Sequence, residues 1–102
     1  MLKEIKIEKP SDVGSGRVFL EFYGPACGFC RAVEPIVESL SGEFSDVDFL
    51  RVNAEKCQNA ASLFGIRGLP TFIAIKDGQE LGRLVGAKKA PELRSLAEKV
   101  YG

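Results

Sequence analysis

Val18-Phe19-Leu20-Glu21-Phe22-Tyr23-Gly24-Pro25-Ala26-Cys27-Gly28-Phe29-Cys30 is the stretch that decides the fold. Its first six residues form an apolar run broken only by Glu21, the pattern of a central strand covered on both faces. Beyond Cys30, the residues Val33, Ile36, Val37, Leu40 and Phe44 recur at helical spacing. The two cysteines therefore stand where a strand hands over to a helix. Two intervening residues let both sulfurs meet across one helical turn. A sulfur at the start of a helix faces unpaired backbone N–H groups and the positive end of the helix dipole. Both stabilise a thiolate, the nucleophile of disulfide exchange, so the stretch points to thiol–disulfide redox chemistry.

Working outward, Leu2 to Ile7 alternates apolar and charged residues and predicts a half-exposed strand, and Glu8 to Gly16 predicts a loop. The helical pattern runs from Cys30 to Phe44, with Pro35 inside it, where a missing N–H predicts a kink. Val47 to Asn53 predicts a strand, and Gln58 to Phe64 a short helix capped by Gly65. Thr71 to Lys76 and Glu80 to Val85 flank Asp77-Gly78, a hairpin signal. Pro91 to Tyr101 predicts a closing amphipathic helix. The order β, β, α, β, α, β, β, α describes an α/β sheet layered by helices, with an antiparallel hairpin at one edge.

The chain has 102 residues, with 45% hydrophobic and 27% charged residues, the make-up of one ordinary globular domain over 1–102. Lys+Arg and Asp+Glu both number 14, so no charge imbalance favours nucleic acid or an anionic membrane. No apolar run approaches a membrane span, and the first residues lack the apolar core of a signal peptide, so a cytoplasmic location is expected. Three cysteines and no histidine argue against a secreted disulfide scaffold and exclude Cys–His hydrolases and His-ligated metal sites. One cysteine beyond the pair also argues against a closed four-ligand metal site within one chain, so no metal is expected.

Four separated pieces together resemble the thioredoxin superfamily over nearly the whole chain. They are the strand entering Cys27-Gly28-Phe29-Cys30, the helix proline Pro35, Gly68-Leu69-Pro70-Thr71 before the hairpin, and Val85-Gly86-Ala87 after it. Glu21-Phe22-Tyr23-Gly24-Pro25 is similar to the Glu-Phe-Tyr-Ala-Pro stretch of protein disulfide isomerase domains. Asn53-Ala54-Glu55-Lys56-Cys57-Gln58 is similar to the matching stretch of animal thioredoxins. The chain departs from the pattern in three places. Phe29 stands where thioredoxins have Pro and isomerases His, Ala26 stands where Trp is usual, and the segment between the first two strands is too short for a full first helix.

The resemblance implies a thioredoxin fold: a central mixed β-sheet flanked by helices, with the first helix shortened or absent. It implies a protein-disulfide reductase that needs no cofactor beyond its own redox-active cysteine pair. Cys27 would be the nucleophile and Cys30 the resolving thiol. Glu21, as a buried acid of raised pKa, would take the Cys30 proton, and Arg51 falls where the family places a Lys beside that acid. Arg51 could hold Glu21 charged, or the two could be a structural ion pair between neighbouring strands. The Leu69–Pro70 bond should be cis, which would present the Leu69 backbone to an extended substrate segment. Phe29 and Leu69 would form an apolar rim, and Gly86 would allow close backbone approach or serve as a simple turn residue. Cys57, at a helix start, is a candidate regulatory thiol, against which stands its reading as a small capping residue. Lys88 and Lys89 read as a solvated loop. The implied partners are disulfide-containing proteins and a thioredoxin reductase-type electron donor, acting on a monomer. Two rival functions remain: an isomerase- or oxidase-like disulfide donor, and a dimer sharing an iron–sulfur cluster through Cys27. A redox-silent interaction domain is disfavoured by the intact cysteine pair.

Overall fold

The structure, a computed structural model, describes residues 1–101. Five strands, β1 (Leu2–Glu4), β2 (Arg17–Tyr23), β3 (Asp48–Asn53), β4 (Thr71–Lys76) and β5 (Gln79–Val85), form one sheet in the order β1-β3-β2-β4-β5. β1 and β2 both pair with β3 in parallel, whereas β4 pairs antiparallel with β2 and with β5. A parallel neighbour cannot be reached by a tight turn, so the chain between β2 and β3 crosses over as the helix α1 (Gly28–Glu43). Two further helices follow, α2 (Gln58–Leu63) and α3 (Ala90–Glu98).

Alternation along β2 assigns the two faces. Phe19 points to one side, where it stacks on Phe49 at 4.8 Å and packs with Val33, Val37 and Leu40 of α1 and Leu93, Leu96 and Ala97 of α3. Val18, Leu20 and Phe22 point to the other, against Ile7, Val52, Ala60 and Ile73. The expectation of a strand covered on both faces is met, since all residues from Val18 to Phe22 are buried. Glu21 and Arg51 lie two residues beyond Phe19 and Phe49 on paired strands, so both project to the face that α1 covers.

Most differences from the sequence reading lie at element ends. The expected first loop contains one turn of 3-10 helix, Pro10–Val13, whose Val13 is buried beside Ile7. β1 stops at Glu4, because beyond the Ile5–Arg51 bond the chain leaves the sheet edge to bury Ile7 under the opposite face. α1 begins at Gly28 rather than Cys30, since Cys27 caps it. α3 ends at Glu98 rather than Tyr101, because the amides of Lys99 and Val100 turn back to carbonyls three residues earlier. The hairpin turn is Asp77-Gly78, and Asp77 ties it to the start of β2 through two bonds with the Gly16 backbone at 2.8 and 2.9 Å.

Gly65 follows α2 in the left-handed region, with φ of +68°, and a Cβ there would meet nothing within 4 Å. Gly65→Ala is therefore a test of backbone conformation alone. It is expected to lower the urea-derived unfolding free energy by about 1 kcal/mol without altering the redox activity. An unchanged midpoint would show that this turn relaxes at no cost.

Candidate active site

The site forms where β2 ends and α1 starts. Cys27 and Cys30 are joined as a disulfide, with their Cα atoms 5.2 Å apart. Cys27 is the N-cap of α1, and its Sγ accepts the backbone N–H of Cys30 at 3.1 Å. The sulfur thus takes the place of the oxygen that usually caps a helix. Cys27 is half-buried, whereas Cys30 is only 2% exposed on the inner face of α1. Two sulfurs of one disulfide therefore differ in access and in electrostatic surroundings. The outer one accepts the Cys30 N–H at the helix start, where negative charge is favoured.

Pro70 is buried, and the Leu69–Pro70 peptide is cis. Leu69 reaches the Cys27 side: a Cβ added at Gly24 would lie 3.0 Å from Leu69 Cδ1 and 3.9 Å from Cys27 Cβ. The glycine thus makes room for Leu69 beside the disulfide. Phe29 is 66% exposed and Leu69 half-buried. Gly86 has φ of +93° and donates its N–H to the Pro70 carbonyl at 2.8 Å. That bond ties the end of β5 to the cis-proline turn, and the positive φ disfavours any side chain there.

Glu21 is 1% exposed, and its Oε1 has no hydrogen-bond partner. Burial pushes its pKa up to about 7, the nearby Arg51 charge working to lower it and Glu34 to raise it. Of the two expectations for Arg51, the structural ion pair with Glu21 is not formed, although the Arg51 charge does act on the acid. The two residues are register partners on β2 and β3, yet the Arg51 guanidinium donates from Nη1 to Glu34 Oε1 at 3.2 Å. Its carbon lies over the Tyr23 ring, 3.8 Å from the centroid. The physical reason is access: the half-exposed Glu34 and the ring face can be met at the edge of α1, whereas Glu21 lies beneath it. Tyr23 in turn donates its hydroxyl to Glu4 Oε2 at 2.6 Å.

Glu34, Tyr23 and Glu4 were not predicted as site residues. A signal for Glu34 exists in its spacing, one helical turn after Cys30. Nothing local marks Tyr23 or Glu4. Cys57 caps α2 without a side-chain hydrogen bond and is a free, buried cysteine among the residues of the opposite sheet face. Among the described residues, no cluster of three or more His, Cys, Asp or Glu could hold a metal ion. No helix among them is long and apolar enough to cross a membrane.

The thioredoxin family model matches residues 6–99. A thioredoxin of Chlamydia pneumoniae is 35% identical over 100 residues, covering 97% of this chain and 98% of that one. Thioredoxin H2 of Arabidopsis thaliana is 36% identical over 70 residues, but the match spans only 53% of its length. The chain therefore matches about half of some curated relatives and nearly all of others. Among solved structures, a reduced thioredoxin pre-protein of Schistosoma mansoni superposes with a TM-score of 0.86 at 29% identity, covering 97% of each chain.

Proposed function

We propose that this chain, which belongs to the thioredoxin family and is a thiol–disulfide oxidoreductase, reduces the disulfides of other proteins. The observation that carries the reading is the asymmetry of the pair: Cys27 half-exposed and held at a helix start, Cys30 buried one turn on. In the dithiol form, the Cys27 thiolate attacks one sulfur of a substrate disulfide and expels the other as a thiolate. Cys30 then attacks Cys27 Sγ, closing the Cys27–Cys30 disulfide and releasing the substrate with two thiols. Two electrons pass from the pair to the substrate. A thioredoxin reductase-type donor returns them, and no further cofactor takes part.

Glu21 is assigned the proton that Cys30 must lose before it attacks. A carboxyl with a pKa of about 7 can both take and return a proton near neutrality. Arg51 modulates that acid. Phe29 and Leu69 offer apolar surface to an extended protein segment, and the Leu69 backbone offers it hydrogen bonds. Gly86 keeps the far side of the cis-proline turn free of a side chain. Cys57 would have to be uncovered before it could act as a regulatory thiol. The protein is read as a single domain over 1–102, a cytoplasmic monomer.

The test is the equilibrium reduction potential of the Cys27–Cys30 pair against a dithiothreitol or glutathione series. A value near about −270 mV is expected for a reductant of this class, raised somewhat by Phe29 in place of proline. A value near about −180 mV or above would overturn the reductase reading and place the protein with isomerases and disulfide donors.

A further inference from the structure

Two buried polar atoms without partners stand on neighbouring strands: Glu21 Oε1 and Arg51 Nε. Their residues are in register on parallel strands and project to the same face. An acid and a base so placed would ordinarily close a pair. They do not, because the guanidinium is held elsewhere. Its carbon lies over the Tyr23 ring, 3.8 Å from the centroid, near enough for its charge to act on Glu21 but with no hydrogen bond to it. Glu34 Oε1 holds it there through Nη1 at 3.2 Å, and Glu34 sits on the helix that carries Cys30, one turn beyond it. The ring face supplies a second favourable site for the cation.

We propose that Glu34 is a positioning residue: by binding Arg51 at the edge of α1 it keeps that cation over Tyr23, and leaves the Glu21 carboxyl unpaired beneath the helix and free to accept the Cys30 proton. The inference rests on the reading of Glu21 as proton acceptor. Two charged groups act on Glu21: Arg51 from β3 and Glu34 from α1, the helix that also carries the buried Cys30. β1 carries Glu4, which accepts the Tyr23 hydroxyl at the ring over which Arg51 lies. β4 presents only the Phe72 ring, which is the register partner of Glu21. Glu34 and Arg51 are thus the pair that decides how much positive charge the acid meets.

The experiment is a carboxyl-carbon NMR titration of Glu21 in the reduced protein, carried out in a cycle of wild type, Glu34→Gln, Arg51→Gln and the double variant. Glu34 is half-exposed, so its replacement leaves the core intact, which circular dichroism verifies. Glu34→Gln is expected to move the Glu21 titration down by about one pH unit or more, as Arg51 turns toward it. In the Arg51→Gln background the same change is expected to give a clearly smaller shift, the part due to the Glu34 charge acting directly on Glu21. An unmoved titration in Glu34→Gln would overturn the proposal. So would an equal shift with and without Arg51, which would mean direct repulsion rather than positioning. The pH profile of disulfide reduction separates the underlying reading. If the NMR titration moves and the rate profile does not follow, Glu21 is no proton acceptor, although Glu34 still places Arg51.

Discussion

Cys27→Ser is expected to abolish turnover, with insulin reduction falling by at least about a thousandfold to the rate of dithiothreitol alone. Cys30→Ser is expected to fail differently. It keeps the attacking thiol and loses the resolving one, so a mixed disulfide between Cys27 and the substrate should accumulate. Mass spectrometry of the adduct under non-reducing conditions reads this directly. The assignment comes from access and charge together. Cys27 Sγ is the half-exposed sulfur and accepts the Cys30 N–H at 3.1 Å, while Cys30 is 2% exposed beneath the helix. A protein disulfide can approach the first sulfur along its own path to the helix start, and the second only after the first has captured it. An adduct mapped to Cys30, with turnover surviving in Cys27→Ser, would reverse the two roles.

How far this site was legible in the sequence depends on the range over which each feature is decided. The apolar run from Val18 to Tyr23, interrupted once, carried both the burial of the strand and the singularity of Glu21. Asp77-Gly78 carried the hairpin because two residues there take positive φ, a property of the residues themselves. α1 starts two residues before its apolar periodicity does, because the cap is a cysteine, outside the Ser, Thr, Asp and Asn set that marks helix starts. One turn of 3-10 helix at Pro10–Val13 is too short for hydrophobic periodicity to register. The partner of Arg51 was not legible at all. Strand pairing alone favours Glu21, and the choice of Glu34 follows only from where α1 crosses above β3, 17 residues away in sequence from one partner to the other.

The burial of Glu21 has a stability cost with a definite pH window. Its pKa in the folded chain is about 7 against an ordinary 4.5. Below pH 4.5 the carboxyl is neutral in both folded and unfolded chains, and burial carries no charge penalty. Between these values the unfolded chain ionises while the folded one holds its proton, so stability falls as pH rises. Above pH 7 the loss levels off at about 3 kcal/mol, from 1.36 kcal/mol per unit of displacement. Three other carboxyls, Asp12, Glu43 and Glu80, have lowered pKa values from backbone N–H or arginine bonds, and their contributions are lost only in more acid solution. There is no histidine to titrate between pH 5 and 8, and the oxidised cysteine pair does not ionise. Urea unfolding of the oxidised protein is therefore expected to show a decline of about 2.5 kcal/mol from pH 5 to 8, part of the loss being already complete at pH 5, and Glu21→Leu is expected to flatten it. The comparison is of slopes, so any packing cost of the leucine drops out. Parallel pH curves for the two proteins would mean that Glu21 ionises in the fold as readily as in the unfolded chain. A carboxyl of that kind would hold no proton near neutrality to return to the departing thiolate, so this slope tests the acid's chemistry as directly as it tests its burial.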